Sequence, residues 1–229
     1  MDGEPASVKE SYYLRHYSSV QRSGVQSFGN GIIDRLLLKS IQKTEAKKFL
    51  ELGAGSGEFT QKVAKKMAFD EYFAVDLSPG MADPALMEKL TTLKGLKFIA
   101  ADAHELPFPD DSVDLSFSTC LLAHVAQPEK VLGELLRVTK SEGGTIIMAL
   151  PTDPGLLNQL VKRLVTYPKM RRHGISEPEY VYALEHLHPV HNLIAIARKV
   201  FGEKCRLNYF PGIFPGWNLN LVLLLRVDI

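Results

Sequence analysis

The chain has 229 residues, of which 45% are hydrophobic and 23% are charged, and its formal net charge is +1. This length is enough for one substantial domain with its own core, so we predict a single domain over residues 1–229. A near-neutral chain in which no basic cluster exceeds two residues does not favour nucleic acid as a partner.

The cysteines and the amino terminus indicate a compartment. Cys120 and Cys205 have neither the spacing of a metal site nor that of a disulfide framework, which favours a reducing environment. The chain begins MDGEPASVKE, which is acidic and polar where a secretory signal would be basic and then apolar. No apolar run is longer than that of Leu221–Leu225, which is too short to span a membrane. We expect a cytoplasmic protein without membrane insertion.

The first 150 residues divide into a helical segment and an alternating core. Residues 1–45 are predicted to form a helical amino-terminal cap. In residues 46–150, short apolar runs alternate with amphipathic stretches, which predicts strands alternating with helices. The predicted strands cover residues 48–52, 72–75, 96–100, 113–118 and 145–150. The predicted helices cover residues 58–67, 79–93 and 128–139. This order is typical of a doubly wound α/β sheet that binds its ligand at the carboxyl ends of the strands.

Residues 151–229 are predicted to add a helical insertion after the fifth strand and then two final strands. The helices are predicted at residues 154–165, 177–186 and 189–201, and the strands near residues 205–210 and 217–227. Additions of this kind usually build the pocket of the second substrate. The segment Tyr209–Asn220 is dense in aromatic, proline and glycine residues, and it is predicted to be a rigid loop that lines a pocket or a dimer contact. A homodimer is left open.

One short segment and three acids point to a ligand. The segment Leu50–Phe59, LELGAGSGEF, leads from an apolar run into three closely spaced glycines, which predicts a tight turn with exposed backbone amides. Asp76 ends the second predicted strand, where a carboxylate can accept hydrogen bonds from a ribose. Asp102 follows the third, where it can accept from the exocyclic amine of adenine. Glu51 would repel the pyrophosphate of NAD but suits a sulfonium and an ammonium group. The acids therefore favour a cationic adenosyl ligand over a dinucleotide.

Taken in order, these motifs resemble the class I S-adenosylmethionine-dependent methyltransferases, in the small-molecule branch that includes quinone-biosynthesis enzymes. The matching segments are Glu51–Gly57, Val75–Ser78, Ala101–Ala103, Leu106–Phe108, Val113–Leu115 and Leu136–Gly144. The resemblance implies a Rossmann-like, seven-stranded, mostly parallel sheet whose last strand is antiparallel. It implies S-adenosylmethionine as cofactor and S-adenosylhomocysteine as product. The implied contacts are the methionine part on Glu51, Gly53, Ala54, Gly55 and Gly57, the ribose on Asp76, the adenine on Leu77, Asp102 and Ala103, and the methionine or the acceptor near Thr119.

The acceptor side has three groups of candidates. Methyl transfer from a sulfonium requires alignment of the reactants and, for some acceptors, a base. His124, in the loop after the fourth predicted strand, is the first candidate base, although it could instead cap the next helix. Tyr13 and Tyr17 lie four residues apart on one predicted helix face, and either could cover the cofactor or only pack.

The third group is a run of histidines near residue 190. His186 is a second candidate base, and His188 is a candidate for the acceptor pocket. With His191 they form the pattern His-x-His-x-x-His, but a helix predicted to start at Pro189 need not let the three rings converge. No metal site is predicted.

We therefore expect an enzyme that methylates an oxygen or nitrogen of a small-molecule acceptor, with a sugar or a natural-product precursor preferred. Two alternatives remain open, namely a cofactor-binding regulatory or partner subunit without turnover and an NAD-dependent oxidoreductase. The motifs indicate the methyl donor and leave the acceptor open.

Overall fold

The structure is a computed structural model that describes residues 27–77, 84–172 and 174–229. Its strands are β1 (Lys48–Leu52), β2 (Glu71–Asp76), β3 (Leu96–Ala100), β4 (Leu115–Thr119), β5 (Thr145–Pro151), β6 (Cys205–Phe210) and β7 (Val222–Asp228). Its α-helices are α1 (Ser27–Ile41), α2 (Glu58–Ala64), α3 (Pro84–Thr91), α4 (Pro128–Val138), α5 (Leu156–Val161), α6 (Tyr167–Arg172), α7 (Pro178–Glu185) and α8 (Val190–Phe201). A π-helical turn, Lys162–Thr166, joins α5 to α6, and short 3₁₀ turns cover Leu121–Ala123 and Gly202–Lys204.

The strands form one seven-stranded sheet in the order β3-β2-β1-β4-β5-β7-β6. The neighbouring pairs among β1 to β5 are parallel, and β7 runs antiparallel between β5 and β6. The predicted doubly wound, mostly parallel α/β sheet is therefore confirmed, as is the antiparallel last strand. The strand order reverses between β1 and β4, and open sheets of this kind bind ligands at such a reversal.

Apolar strands and amphipathic helices explain why the sheet is covered on both faces. Residues Thr145–Leu150 of β5 are all buried, as expected for a central strand of a parallel sheet. On one face α4 and α8 contribute the buried side chains of Val131, Leu132, Leu135, Val138, Leu193, Ala197 and Phe201. On the other face α1, α2 and α3 contribute Ile33, Leu37, Ile41, Phe59, Val63 and Leu90. These two apolar layers hold the strand ends at one edge in a fixed arrangement.

Some predicted boundaries of the core and the cap shift or lie outside the described ranges. The predicted strand 113–118 begins two residues later, because Val113 makes only an isolated bridge to Thr139. Residues 79–83 of the predicted helix 79–93 lie outside the described residues, and α3 covers Pro84–Thr91. Most of the predicted amino-terminal cap, with Tyr13 and Tyr17, also lies outside them, so these two assignments stay predictions.

The prediction that the last strand starts near Trp217 is wrong, since β7 begins at Val222. The buried side chain of Asn220 explains the difference. Its Oδ1 atom accepts from the backbone N–H of Gly212 at 2.7 Å, and its Nδ2 atom donates to the carbonyl oxygens of Phe214 and Gly216 at 2.9 and 2.6 Å. These bonds close the chain into a loop, which removes residues 217–221 from the sheet.

The predicted first helix of the insertion, 154–165, is also revised. The helical stretch starts at Leu156, passes through the π-helical turn and ends at Arg172. The π-helical turn contains Lys162, whose side chain is buried against the carboxyl end of β5, as described below. Within the described ranges no helix combines the length and apolar character needed to cross a membrane.

Candidate functional site

A glycine loop follows β1 and shapes one edge of the site. Gly53, Gly55 and Gly57 have φ values of +79°, +52° and +77°, a region that side chains disfavour. The backbone N–H groups of Gly53 and Ala54 donate to the carbonyl oxygen of Val75 at 2.8 and 3.0 Å, which ties the loop to β2. A Cβ atom on Gly53 would lie 3.2 Å from the side chain of Leu121, whereas one on Gly55 would meet no atom of the described residues within 4 Å. The loop is therefore open on the side of Gly55.

Asp76 stands next to this loop at the carboxyl end of β2. Its Oδ2 atom accepts a hydrogen bond from the backbone N–H of Gly55 at 2.8 Å. The following residue, Leu77, has 73% of its surface exposed. A carboxylate held by the loop and an exposed apolar side chain suit the ribose and the adenine of an adenosyl ligand.

Asp102 lies beyond the end of β3, in the loop that continues the same edge. Its Oδ1 atom accepts from the backbone N–H of His104 at 2.8 Å and lies 2.6 Å from Nδ1 of the same residue. These hydrogen bonds hold the pKa of Asp102 below its ordinary value. The carboxylate is therefore charged and can only accept hydrogen bonds. Its neighbour Ala103 is half-buried against the core.

Glu51 lies in β1 with only 2% of its surface exposed. Its Oε2 atom accepts hydrogen bonds from Thr60 Oγ1 at 2.7 Å and from the Tyr72 hydroxyl at 2.5 Å. Burial raises the pKa of Glu51 to about 7, although both hydrogen bonds oppose the rise. Because Glu51 is enclosed by protein, any influence on a ligand in the loop would pass through its electric field.

The carboxyl end of β4 carries two buried hydroxyl groups, Ser118 Oγ and Thr119 Oγ1, that find no hydrogen-bond partner among the described residues. Ser118 pairs with Leu52 in the sheet, so these hydroxyls lie beside the start of the glycine loop. A buried hydroxyl without a partner costs about 1–3 kcal/mol. Together with the open loop, this orphaned pair fits a site that receives a polar ligand, as the implied cofactor requires. The adjacent Cys120 is no nucleophile, because burial raises its pKa to about 12.

The histidines predicted on the acceptor side lie where two segments are bonded together. The backbone N–H of Leu187 donates to the carbonyl oxygen of Ala123 at 2.8 Å. His124 Nδ1 lies 2.9 Å from the Glu185 carbonyl oxygen, which only accepts, so Nδ1 carries the proton. In a neutral ring, Nε2 of His124 therefore carries the lone pair. The ring of His186 meets that of His124 edge-on, with centroids 4.9 Å apart.

Asp153 lies behind His186, directly after β5. Its Oδ2 atom is 3.4 Å from Nδ1 of His186, which is an ion-pair distance rather than a well-formed hydrogen bond. Its Oδ1 atom accepts from Lys162 Nζ at 2.5 Å and from Gln159 Nε2 at 2.9 Å. Burial acts to raise the pKa of Asp153, but the contacts with His186 and Lys162 outweigh it and hold the pKa below its ordinary value. Nδ1 of His186 is buried and has no hydrogen-bond partner among the described residues, and the nearby negative charge of Asp153 favours a proton on this nitrogen.

Asp153, Lys162 and Tyr182 are residues of this cluster that the sequence analysis missed. The side chain of Lys162 is only 5% exposed, and its Nζ atom lies 4.6 Å from the centre of the Tyr182 ring. The centre of the Tyr182 ring also lies 4.6 Å from the centre of the His186 ring. Burial raises the pKa of the Tyr182 hydroxyl. Asp153 follows a strand as Asp76 does, so the same rule could have found it. A buried lysine leaves no such signal.

The three histidines near residue 190 have three different sets of neighbours. His186 faces Asp153, His188 Nε2 donates to the carbonyl oxygen of Val125 at 3.0 Å, and His191 stacks on Trp217. Among the described residues no group of three or more His, Cys, Asp or Glu side chains is arranged to hold a metal ion. The structure therefore brings His124 and His186 together and uses His188 to fasten the loop.

A comparison with protein families finds a match to a methyltransferase domain over residues 50–147. The chain is 34% identical over 131 residues to malonyl-[acyl-carrier protein] O-methyltransferase of Halorhodospira halophila, covering 56% of this chain and 43% of that protein. It is 32% identical over 155 residues to demethylmenaquinone methyltransferase of Paenarthrobacter aurescens, covering 66% of this chain and 59% of that protein. Our chain thus spans only about half the length of these two relatives.

A third relative is covered more fully. The chain is 32% identical over 180 residues to an uncharacterized methyltransferase of Mycolicibacterium vanbaalenii, covering 75% of this chain and 68% of that protein. Among solved structures, an S-adenosylmethionine-dependent methyltransferase of Thermotoga maritima has a TM-score of 0.65 and 17% identity, over 96% of this chain and 99% of that one. This last likeness shows the fold alone.

Proposed function

Because the chain belongs to the class I S-adenosylmethionine-dependent methyltransferases, we propose that it transfers the methyl group of S-adenosylmethionine to an oxygen or nitrogen of a small-molecule acceptor. The observation that carries the proposal is the common edge of four neighbouring parallel strands. The glycine loop follows β1, and Asp102 follows β3. Asp76 is the last residue of β2, and Thr119 is the last residue of β4. These four strands adjoin in the sheet. Such an edge, at a reversal of strand order, is where this fold binds its ligand.

The proposed cofactor contacts follow the geometry of that edge. The loop Gly53–Gly57 would hold the methionine part, with Glu51 beneath it favouring the positive charge through its field. Asp76 would accept from the ribose hydroxyls, and Leu77 with Asp102 and Ala103 would contact the adenine. The hydroxyl of Thr119 would gain a partner in the methionine or the acceptor, which removes the cost of its burial.

The proposed chemistry needs little more than alignment and removal of a proton. The bound cofactor supplies an electrophilic methyl group on a sulfonium. The acceptor oxygen or nitrogen would bond to the methyl carbon as the bond from that carbon to sulfur breaks, which leaves S-adenosylhomocysteine. The Nε2 atom of His124 or His186 is the proposed base that takes the acceptor's proton. His124 has its proton held at Nδ1 by the Glu185 carbonyl, and His186 has its Nδ1 near the carboxylate of Asp153. In a neutral ring these contacts favour a lone pair on Nε2, through a hydrogen bond in His124 and through the charge of Asp153 in His186.

For the acceptor we propose a sugar or a natural-product precursor with several hydroxyl groups. The support is the density of hydrogen-bonding side chains beside the proposed bases, namely Asp153, Gln159, Lys162 and Tyr182. The relatives act on different acceptors, since their names specify malonyl-acyl-carrier protein and demethylmenaquinone. The shared core therefore accounts for the donor, and the insertion after β5 is the proposed source of acceptor choice.

Calorimetry with S-adenosylhomocysteine and with NAD tests the donor. We expect the nucleoside to bind and NAD to bind far more weakly, since Glu51 opposes a pyrophosphate. Tight NAD binding without nucleoside binding would overturn the proposal in favour of an oxidoreductase.

Transfer of labelled methyl groups tests turnover. The acceptor panel would contain hydroxylated sugars and aromatic precursors, with malonyl-acyl-carrier protein and demethylmenaquinone as comparisons. We expect methylation of a hydroxylated acceptor, and loss of most activity in His124→Gln or His186→Gln. Binding of S-adenosylhomocysteine with no transfer to any acceptor would favour the regulatory-subunit alternative.

A further inference from the structure

The loop after β3 contains a hydrogen-bonded pair, Asp102 and His104, in which each ring nitrogen of His104 has its own partner. His104 contacts Asp102 Oδ1 twice, through its backbone N–H at 2.8 Å and its ring Nδ1 at 2.6 Å. The other ring nitrogen, Nε2, accepts from the backbone N–H of Gln127 at 3.3 Å. His104 therefore connects the carboxylate to the residue just before α4.

The two ring contacts require the same tautomer. A charged carboxylate only accepts, so Nδ1 must carry the proton. A backbone N–H only donates, so Nε2 must carry the lone pair. Both demands describe one neutral ring, with the proton on Nδ1. The hydrogen bonds on both sides of the ring therefore fix its orientation.

Asp102 depends on its hydrogen bonds with His104 because the rest of its surroundings do little to orient its side chain. Its side chain is 58% exposed and stands on a loop, where a free carboxylate would turn about its side-chain bonds. With Oδ1 engaged twice by His104, the direction in which Oδ2 faces is set. His104 itself is held by Gln127, next to the buried first turn of α4.

We propose that His104 is a positioning residue that sets the purine specificity of the cofactor site. Held by His104, Asp102 accepts a hydrogen bond from the 6-amino group of adenine and opposes a 6-oxo group, whose oxygen is also an acceptor. This inference rests on the proposed function, since it assigns Asp102 to the adenine edge. It adds that a residue without ligand contact controls how strongly the site prefers a 6-amino group to a 6-oxo group.

The test compares binding of S-adenosylhomocysteine with binding of S-inosylhomocysteine, in which an oxo group replaces the 6-amino group. For the wild-type chain we expect at least about tenfold tighter binding of the adenine form, because the oxo form places two acceptors face to face. His104→Phe keeps a ring of similar size and removes both nitrogen atoms. We expect it to weaken binding of the adenine form about tenfold and that of the oxo form by less than about twofold.

Two further variants separate positioning from simple support of the fold. His104→Asn restores a side-chain N–H donor near Oδ1, and we expect the preference to return to within about threefold of the wild-type value. Glu105→Ala changes the exposed neighbour on the same loop and should leave the preference unchanged. Equal weakening of both ligands in His104→Phe, or no rescue by His104→Asn, would overturn the inference.

The outcomes for the wild-type chain are distinct from these. Failure of the wild-type chain to bind S-adenosylhomocysteine would refute the proposed function itself. Binding of both nucleosides with equal affinity would refute the adenine assignment of Asp102. A strong preference in the wild-type chain that His104→Phe leaves intact would refute the role of His104 alone. If His104→Phe does not fold, His104→Ala carries the same expectation.

Discussion

Replacing Glu51 by glutamine should remove one pH dependence from the stability of the protein. The carboxyl group is buried in β1 and accepts hydrogen bonds from Thr60 and Tyr72. Burial raises its pKa from the ordinary value of 4.5 to about 7. Between these two values the folded chain binds a proton at Glu51 that the unfolded chain has released. The free energy of unfolding therefore falls as the pH rises through this range.

The size of the effect follows from the change in pKa. Each pH unit over which only the folded state holds the proton is worth about 1.4 kcal/mol, so a rise from 4.5 to about 7 corresponds to about 3 kcal/mol. The stabilisation is fully present below pH 4.5 and is lost once the pH exceeds the pKa in the folded state. The side-chain amide introduced by Glu51→Gln does not titrate in this range, so the variant lacks this contribution at every pH.

Urea unfolding at pH 5, 6, 7 and 8 measures the effect as a difference between the variant and the wild-type chain. Groups present in both chains, such as the half-buried Glu185, whose pKa is also raised by burial, cancel in that difference. We expect the variant to gain stability relative to the wild-type chain as the pH rises, by about 3 kcal/mol over the whole range. Tyr72→Phe removes a hydrogen bond that lowers the pKa of Glu51, so it should move the change to higher pH. A difference that does not vary with pH would refute the reasoning.

Two other predictions concern the loop and the buried lysine. Asp76→Ala should weaken S-adenosylhomocysteine binding at least about tenfold, as measured by calorimetry. The control variant Asp70→Ala, in an exposed residue at the opposite end of β2, should leave the affinity unchanged. An unchanged affinity for Asp76→Ala would remove the ribose assignment. Lys162→Met should lower the free energy of unfolding by about 3 kcal/mol, because the half-buried carboxylate of Asp153 loses its cation. Lys199→Met breaks an exposed pair and should cost less than about 1 kcal/mol, so equal losses would contradict this prediction.

The alternating core was predictable because each of its elements has a local pattern. Strand β1 is a short apolar run that ends in glycines, and α4 repeats apolar side chains at helical spacing from Val131 to Val138. Short connections between parallel strands then leave few topologies open. The number of strands and the antiparallel direction of the last strand came from the family resemblance, and both were confirmed.

The errors lie where a buried side-chain contact overrides a local pattern. Residues 217–221 alternate apolar and polar side chains and were predicted as strand, but the side chain of Asn220 forms hydrogen bonds with the backbone of residues 212–216. The predicted helix 154–165 passes instead through a π-helical turn, where Lys162 reaches Asp153. Neither the buried amide nor the buried ammonium can be recognised from neighbouring residues in the chain.

For the same reason, the residues of the cofactor site were easier to predict from the sequence than those on the acceptor side. Gly53, Gly55, Asp76 and Asp102 stand at strand ends, and parallel strands bring such ends to one edge whatever the helices do. Their roles toward the cofactor stay predictions, although the structure places them together. The candidates on the acceptor side depend on how the insertion folds back over β4 and β5.

The sequence by itself determined the sheet, the glycine loop and the acids at its edge, because strand periodicity and turn chemistry act between residues close in the chain. Only the tertiary structure decided that His186 faces Asp153, that Lys162 is buried against it, and that Gln127 holds the ring of His104. These pairings depend on packing between elements, on the protonation of each ring and on which charges lose their water. Such quantities exist only when the chain is folded, since no local pattern encodes which buried group a distant side chain will meet.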